Sequence, residues 1–283
     1  MTAGARSGKE GGLLGAIAAS VRTTLARRRE RVPLDELVRA AERRQPDGRR
    51  FRDEVGRAGR INVIAECKRR SPARGVLART YAPAAIARAY EQHGAAAVSV
   101  LTEPTFFDGA LAHLEAVRGA TALPLLRKDF ILDEYQVYEA RAAGADAVLL
   151  IAALLDPVPL RRLARCAANL GLAAMVEVHS IRELSDARDA GADIIGVNCR
   201  DLRTLAVDAR LCGALIEQAP HGAVMVAESG IRGRDDIDRL AASGYRAFLI
   251  GERLMTSADP GAALAGLVAP AAGGGRAAAG LEA

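Results

Sequence analysis

The chain has 283 residues, 50% hydrophobic and 26% charged, with a formal net charge of +5, a soluble globular composition that excludes a fibrous or wholly disordered protein. Aromatic residues make up 4% and tryptophan is absent, so the core must be built from Ala, Val, Leu and Ile. The basic excess comes with no Phe or Tyr stacking platform and no separate basic domain, which argues against a nucleic-acid partner and suits a small polyanionic ligand.

Residues 1–11 are expected to be disordered. The opening MTAGARSGKEGG lacks the charged-then-apolar pattern of a signal peptide, and no apolar run reaches about 18 residues free of charge, so no membrane partner and a cytoplasmic location are expected. Residues 12–60 form an N-terminal helical extension. Within it LLGAIAASVRTTLARRRERVPLDELVRAAERR reads as two helices broken near Val32–Pro33, with RRRER as a solvated helix face.

From residue 61 a short phrase recurs: HGAAAV at 93–98, AGADAV at 143–148, AGADII at 190–195 and SGYRAF at 243–248. Each glycine closes a helical stretch and precedes an apolar run. Their spacing of about 50 residues accommodates two βα units. The strands predicted in order are INVIAECK, AAAVSVLTE, LPLLRKDF, DAVLLIAAL, AAMVEVHS, DIIGVNCRD, AVMVAESG and AFLIGERL. Helical segments such as APAAIARAYEQHG and DEYQVYEARAAG separate them. Eight near-continuous apolar strands alternating with helices predict a single (β/α)8 TIM barrel over 61–270. A doubly wound open sheet is the alternative, but no GxGxxG follows the first strand. The Gly/Ala-rich segment 271–283 is expected to be a disordered tail.

In such barrels catalytic residues stand at the carboxyl ends of the strands. Here those ends carry Glu66 and Lys68, Lys128 and Asp129, Glu177 and His179, Asn198 and Arg200, and Glu228 and Ser229, whereas the fourth strand offers nothing polar. Glu66/Lys68, Glu177/His179 and Asn198/Arg200 are i, i+2 pairs, so each pair is expected to face the mouth together. Lys and Glu brought together in a partly dry pocket shift each other's pKa, as acid/base chemistry requires. Cys67 and Cys199 fall between such pairs and are expected to point outward. With Cys166 and Cys212 they form no CxxC pair and no zinc spacing, and all four are read as free thiols of a reducing cytoplasm. The glycines of ESGIRGRDD and IGERL follow strands 7 and 8, where backbone N–H groups can approach a phosphate. His93, His113 and His221 fall on helices or helix ends and carry no chemical expectation, and His179 reads equally as a helix start. No metal-ligand constellation is visible.

Taken together, VIAECKRRSPARG, LTEPTFFDG, LPLLRKDFILDEYQVYEARAAGAD, MVEVHSIREL, IGVNCRDLRTL and VAESGIRGRDDIDRL resemble the indole-3-glycerol-phosphate synthase family of tryptophan biosynthesis, over about residues 12–270. The resemblance implies a barrel with a helical segment over its mouth. It also implies a cofactor-free ring closure of a carboxyphenylamino-deoxyribulose 5-phosphate, with loss of CO2 and water. By that resemblance Lys128 is the general acid and Glu177 an acid/base carboxylate, with Glu66 supporting them. Lys68 reaches the phosphate and joins the acid/base work. Ser71 and Arg200 hold the substrate carboxylate, and Asn198 and Ser229 orient sugar hydroxyls. The backbone at Gly230, Gly251 and Glu252 cradles the phosphate. The partner implied is a small anionic substrate, the cofactor none, and the protein a monomer or weak homo-oligomer. The sequence departs from the family pattern at Ala73, where SPS is common, and at Cys199.

Three rivals are weighed. A phosphoribosylanthranilate isomerase-like barrel would need a Cys base, and Cys67 has the wrong parity. A Schiff-base aldolase would use Lys68 or Lys128 as nucleophile. A non-catalytic barrel scaffold would not need so many acid/base groups at one mouth.

Overall fold

Strict alternation of inward and outward side chains closes the sheet. In the computed structural model, which describes residues 12–199 and 209–269, the parallel strands are β1 Asn62–Cys67, β2 Ala97–Leu101, β3 Leu125–Lys128, β4 Ala147–Ile151, β5 Ala173–Val178, β6 Ile194–Asn198, β7 Val224–Glu228 and β8 Ala247–Ile250. Each pairs with the next, and β8 returns to β1 with Ala65 opposite Ile250. This is the (β/α)8 barrel predicted from the apolar runs. Ile64, Leu126, Leu149, Met175, Ile194, Val226 and Leu249 fill the barrel interior. Val63, Val98, Val148, Val176, Val197 and Phe248, one position out of step, pack beneath the helices.

The extension differs from the sequence reading by one helix. α1 (Gly12–Arg31) and α2 (Leu34–Glu42) break at Val32–Pro33 as expected, and α3 (Gly48–Gly56) follows. Asp47 caps α3 by accepting from the Arg50 N–H at 2.8 Å. Phe51 and Val55 are fully buried against the barrel interior. Gly48 lies so close to the strand entry that a Cβ there would overlap the Ala173 backbone, and its N–H donates to the Gly171 carbonyl at 3.0 Å. α3 therefore plugs the barrel at the amino ends of the strands. At the opposite end Ile17 and Val21 of α1 join the same interior cluster.

The remaining helices are α4 Pro83–Gln92, α5 Pro104–Phe107, α6 Leu111–Arg118, α7 Glu134–Ala142, α8 Pro157–Asn169, α9 Ile181–Asp189, α10 Ala209–Ile216, α11 Arg234–Ala242, α12 Glu252–Met255 and α13 Pro260–Val268. A small hairpin, Arg70–Ser71 with Gly75–Val76, follows β1. Among the described residues no helix is long and apolar enough to cross a membrane. Residues 1–11 and 270–283, including the expected disordered termini, and 200–208 lie outside the described residues.

Two expectations change. RRRER is more than a solvated face. Arg28 meets Glu139 at 3.2 Å, Arg29 pairs with Asp133 and lies 5.5 Å over the Tyr135 ring, and the Tyr135 hydroxyl donates to the Val32 carbonyl at 2.9 Å. These contacts dock the end of α1 on α7. Nor are all four cysteines free: Cys199 and Cys212 form a disulfide with Cα atoms 6.1 Å apart, and Cys67 and Cys166 remain thiols. The physical reason is the outward parity of Cys199, which turns it toward α10 within bridging range.

Under α7 lies a fully buried guanidinium. Arg127 points outward from β3 and donates to Asp129 at 2.9 Å, to Glu139 at 3.2 Å and to the Gln136 carbonyl at 2.6 Å. Replacing Arg127 with Leu strands two buried carboxylates, and the expected loss is about 3–5 kcal/mol of unfolding free energy, measured by urea denaturation. A loss below about 1 kcal/mol would show that water replaces the guanidinium there.

Candidate active site

Carried to the carboxyl ends of the strands, the inward parity that places Ile64, Leu126, Met175 and Val226 in the core delivers Glu66, Lys128, Glu177 and Glu228. All three carboxylates are buried. They line a cavity of about 540 Å³ with Lys68, Ser71, Asn198, Ser229, Gly230, Gly251 and Glu252, roofed by Leu13, Leu14 and Ile17 of α1. Every described residue to which the resemblance gives a role is thus brought to one cavity; Arg200 lies outside the described residues. Phe107 and Phe130, with ring centroids 5.9 Å apart, add an apolar wall.

Lys128 is the charge the others surround. Its Nζ lies 2.5 Å from Glu228 Oε2 and 3.5 Å from Glu177 Oε2. Burial opposes its charge, but Glu228, Glu177 and Glu66 outweigh burial, so its pKa stands above the ordinary amine value. Glu177 responds in the opposite sense. Burial alone would raise its pKa, yet Lys128, then His179 and the Asn198 amide, bring it below the ordinary carboxylate value. Glu228 is pushed up, because burial and the neighbouring Glu177 and Glu66 charges prevail over Lys128. Two carboxylates on one ammonium are therefore driven apart in pKa, which separates a fixed anion from a group able to carry a proton near neutrality.

A hydrogen-bond chain fixes the geometry. The Ser229 hydroxyl donates to Asn198 Oδ1 at 2.8 Å, and Asn198 Nδ2 donates to Glu177 Oε1 at 3.2 Å. Ser229 adopts φ of +63° and Gly230 +75°, consecutive left-handed residues that cost a non-glycine about 1 kcal/mol or more. On the far side, Lys68 Nζ sits 2.5 Å from Glu66 Oε1. Ser71 is buried and accepts from the Arg74 N–H at 3.2 Å, while Arg74 holds the Glu252 carboxylate at 3.0 Å. Among the described residues no group of three His, Cys, Asp or Glu is arranged to hold a metal.

One expectation about pairing fails in detail. His179 does not face the mouth with Glu177; it stands behind it, between Glu177 and Glu183. Asp129, at the edge of the cavity, accepts from Thr102 and Arg127. A family model described as indole-3-glycerol phosphate synthase matches residues 14–267. The chain belongs to that family. Two indole-3-glycerol phosphate synthases are similar to it: one from Parafrankia sp. is 51% identical over 88% of this chain and 92% of its own. The second, from Streptomyces coelicolor, is 47% identical over 91% and 99%. A thiamine phosphate pyrophosphorylase from Pyrococcus furiosus aligns with TM-score 0.56 and 18% identity over 73% of this chain and 93% of its own, which is a likeness of fold.

The residue that the strand-end pattern marks but to which it assigns no role is Glu228. Strand parity carries the signal: Val224 and Val226 point inward, so Glu228 must as well. Gly196 went unmarked. It occupies an inward position of β6, where a Cβ would overlap Glu228 Oε1 and crowd the Met175 methyl; Gly251 makes the same space for Glu66 Oε1. The lysine distribution is also notable. Of 39 Lys and Arg residues only three are lysine, and Lys68 and Lys128 are two of them. Gly196→Ala should displace the Glu228 carboxylate and lower kcat about 10- to 100-fold, since misplacement by about 1 Å costs that order. Steady-state kinetics beside a melting curve check it, and an unchanged kcat would mean that Glu228 tolerates displacement.

Proposed function

We propose that this chain is an indole-3-glycerol-phosphate synthase acting without a cofactor on 1-(2-carboxyphenylamino)-1-deoxyribulose 5-phosphate. The observation that carries the reading is the part-buried Lys128 ammonium held between Glu228 and Glu177 at the floor of an apolar-roofed cavity. Closing the pyrrole ring requires the aromatic carbon bearing the carboxylate to attack the ribulose carbonyl. That attack disrupts aromaticity, so the carbonyl oxygen must receive a proton as the bond forms. Lys128 supplies it; a positioned general acid typically contributes about 10²–10⁴-fold. Loss of CO2 then restores the aromatic ring. Dehydration remains, with hydroxide leaving under protonation and a proton leaving the adjacent carbon.

Glu177 is assigned that last proton. Its hold by Lys128 links the two steps: once Lys128 has given up its proton, the cation that kept Glu177 weakly basic is gone, and Glu177 becomes the better base. Glu228, with its raised pKa and direct contact to Lys128, is the nearest source from which the amine regains a proton. Glu66 orients Lys68 and a substrate hydroxyl. Lys68 and the backbone of Gly230, Gly251 and Glu252 receive the phosphate, Ser71 and Arg200 the carboxylate, and Asn198 and Ser229 the sugar hydroxyls. Ala73 contributes no hydroxyl to that carboxylate site. A cytoplasmic setting belongs to the same proposal, supported by the biosynthetic family, and so does a monomeric or weakly associating state.

Mixing protein and substrate without added metal or cofactor should produce indole fluorescence, and Lys128→Ala should abolish turnover, by about 10²-fold or more, while substrate still binds. Turnover retained in that variant would remove Lys128 as the acid. Glu228→Gln withdraws an anion from the ammonium, so the Lys128 pKa must fall. The alkaline limb of the kcat profile should move to lower pH, and a limb that stays in place would separate Glu228 from the proton path.

A further inference from the structure

His179 is absent from the cavity lining yet touches its central carboxylate. Its Nε2 lies 3.2 Å from Glu177 Oε1, an ionic contact rather than an aligned hydrogen bond, and its Nδ1 lies 3.3 Å from Glu183 Oε2. The outer carboxylate is itself anchored. Glu183 Oε2 accepts the His179 backbone N–H at 2.8 Å, and the Glu183 N–H donates to the Ser180 hydroxyl at the start of α9 at 3.2 Å. The ring is thus fixed from the helix side and addresses one oxygen of Glu177. Asn198 donates to that same oxygen, and the other, Oε2, faces Lys128.

A neutral imidazole has one donor and one lone pair. With a carboxylate at each nitrogen, a lone pair would face an anion on one side, so the geometry calls for protons on both. Consistent with this, Glu177 and Glu183 outweigh burial and push the ring's pKa up to about 10. Among the described residues the charged groups facing this pair are Glu177 and Glu183 on His179, and Lys128, His179 and Glu228 on Glu177.

We infer that His179 is a positioning residue for the reaction: a doubly protonated ring that pins Glu177 Oε1 against Asn198 and leaves Oε2 alone to face Lys128 and the substrate. This rests on the reading of Glu177 as the acid/base carboxylate. It adds a division of labour between two cations: the Lys128 charge is surrendered during turnover, whereas the imidazolium stays and keeps the carboxylate in place while its basicity rises.

The test is the pH dependence of kcat and KM with carboxyphenylamino-deoxyribulose 5-phosphate for His179→Gln, Glu183→Gln, Ser180→Ala and Glu177→Gln. Loss of the imidazolium removes a cation beside Glu177, so its pKa rises. In His179→Gln the acid limb of kcat should move up by about one pH unit, with kcat down about 10-fold and KM within about 2-fold. Glu183→Gln, which leaves the ring in place, should shift the limb the same way by less. Ser180→Ala removes the helix cap and should lower the melting midpoint with the limb unmoved. Unshifted limbs in both His179→Gln and Glu183→Gln overturn the inference, as does a Ser180→Ala profile matching that of His179→Gln, since the role would then be helix capping. Should His179→Gln not fold, Glu183→Gln alone decides. Near-normal turnover in Glu177→Gln would instead overturn the underlying reading of Glu177, and the inference with it.

Discussion

An ammonium group largely withdrawn from water needs anionic partners where it stands, and this requirement at Lys128 organises the upper layer of the barrel. One carboxylate would suffice for charge balance; three surround it. The surplus of negative charge cannot be held fully ionised in a low-dielectric site, so one carboxylate rises in pKa while another is kept down by additional donors. For Glu177 these are the Asn198 amide, itself held by Ser229, and the His179 ring in ionic contact. Gly196 and Gly251 exist as absences of side chain, giving Glu228 and Glu66 room to lean inward. Removing any of these leaves a buried charge with fewer partners, which is costlier than never having buried it.

The run Leu126–Arg127–Lys128–Asp129 shows how the fold keeps chemistry apart from stability. Successive side chains leave a strand on opposite faces. Lys128 enters the cavity, while Arg127 and Asp129 lock into a network beneath α7 that also reaches Arg28 of α1 through Glu139. The helix that roofs the cavity is therefore tied to the outer network and not to the reacting groups.

Much of this was legible from sequence because two periodicities are simple. Glycine after a helical stretch and before an apolar run marks each barrel strand, and period-two alternation nominates the residues at the strand ends. Glu66, Lys128, Glu177 and Asn198 were found by that rule, and Glu228 falls under it as well. The rule stops working just past the last residue of a strand, where the chain turns: His179 has the parity of a site residue but leaves the pleat, and its partner Glu183 lies on α9. α3 escaped notice because GRRFRDEVG has only two large apolar residues, enough for a plug but too few for a visible stripe. Cys199 and Cys212 are separated by 13 in sequence, with no local signature of a bond between them. The family resemblance named roles for single residues; the coupling between Lys128, Glu177 and Glu228 is visible only in their distances.

The scarcity of lysine has a practical consequence. Arginine serves wherever this chain needs a fixed positive charge, and a guanidinium holds its proton throughout the working range. Lysine occurs twice among the described residues, both times in the cavity, and once more at Lys9. Protein grown with lysine carrying nitrogen-15 at the side chain would therefore give a magnetic-resonance spectrum of three amine signals, two of them from the cavity. The protonation of both groups could be followed directly through ligand binding, in the unmutated enzyme.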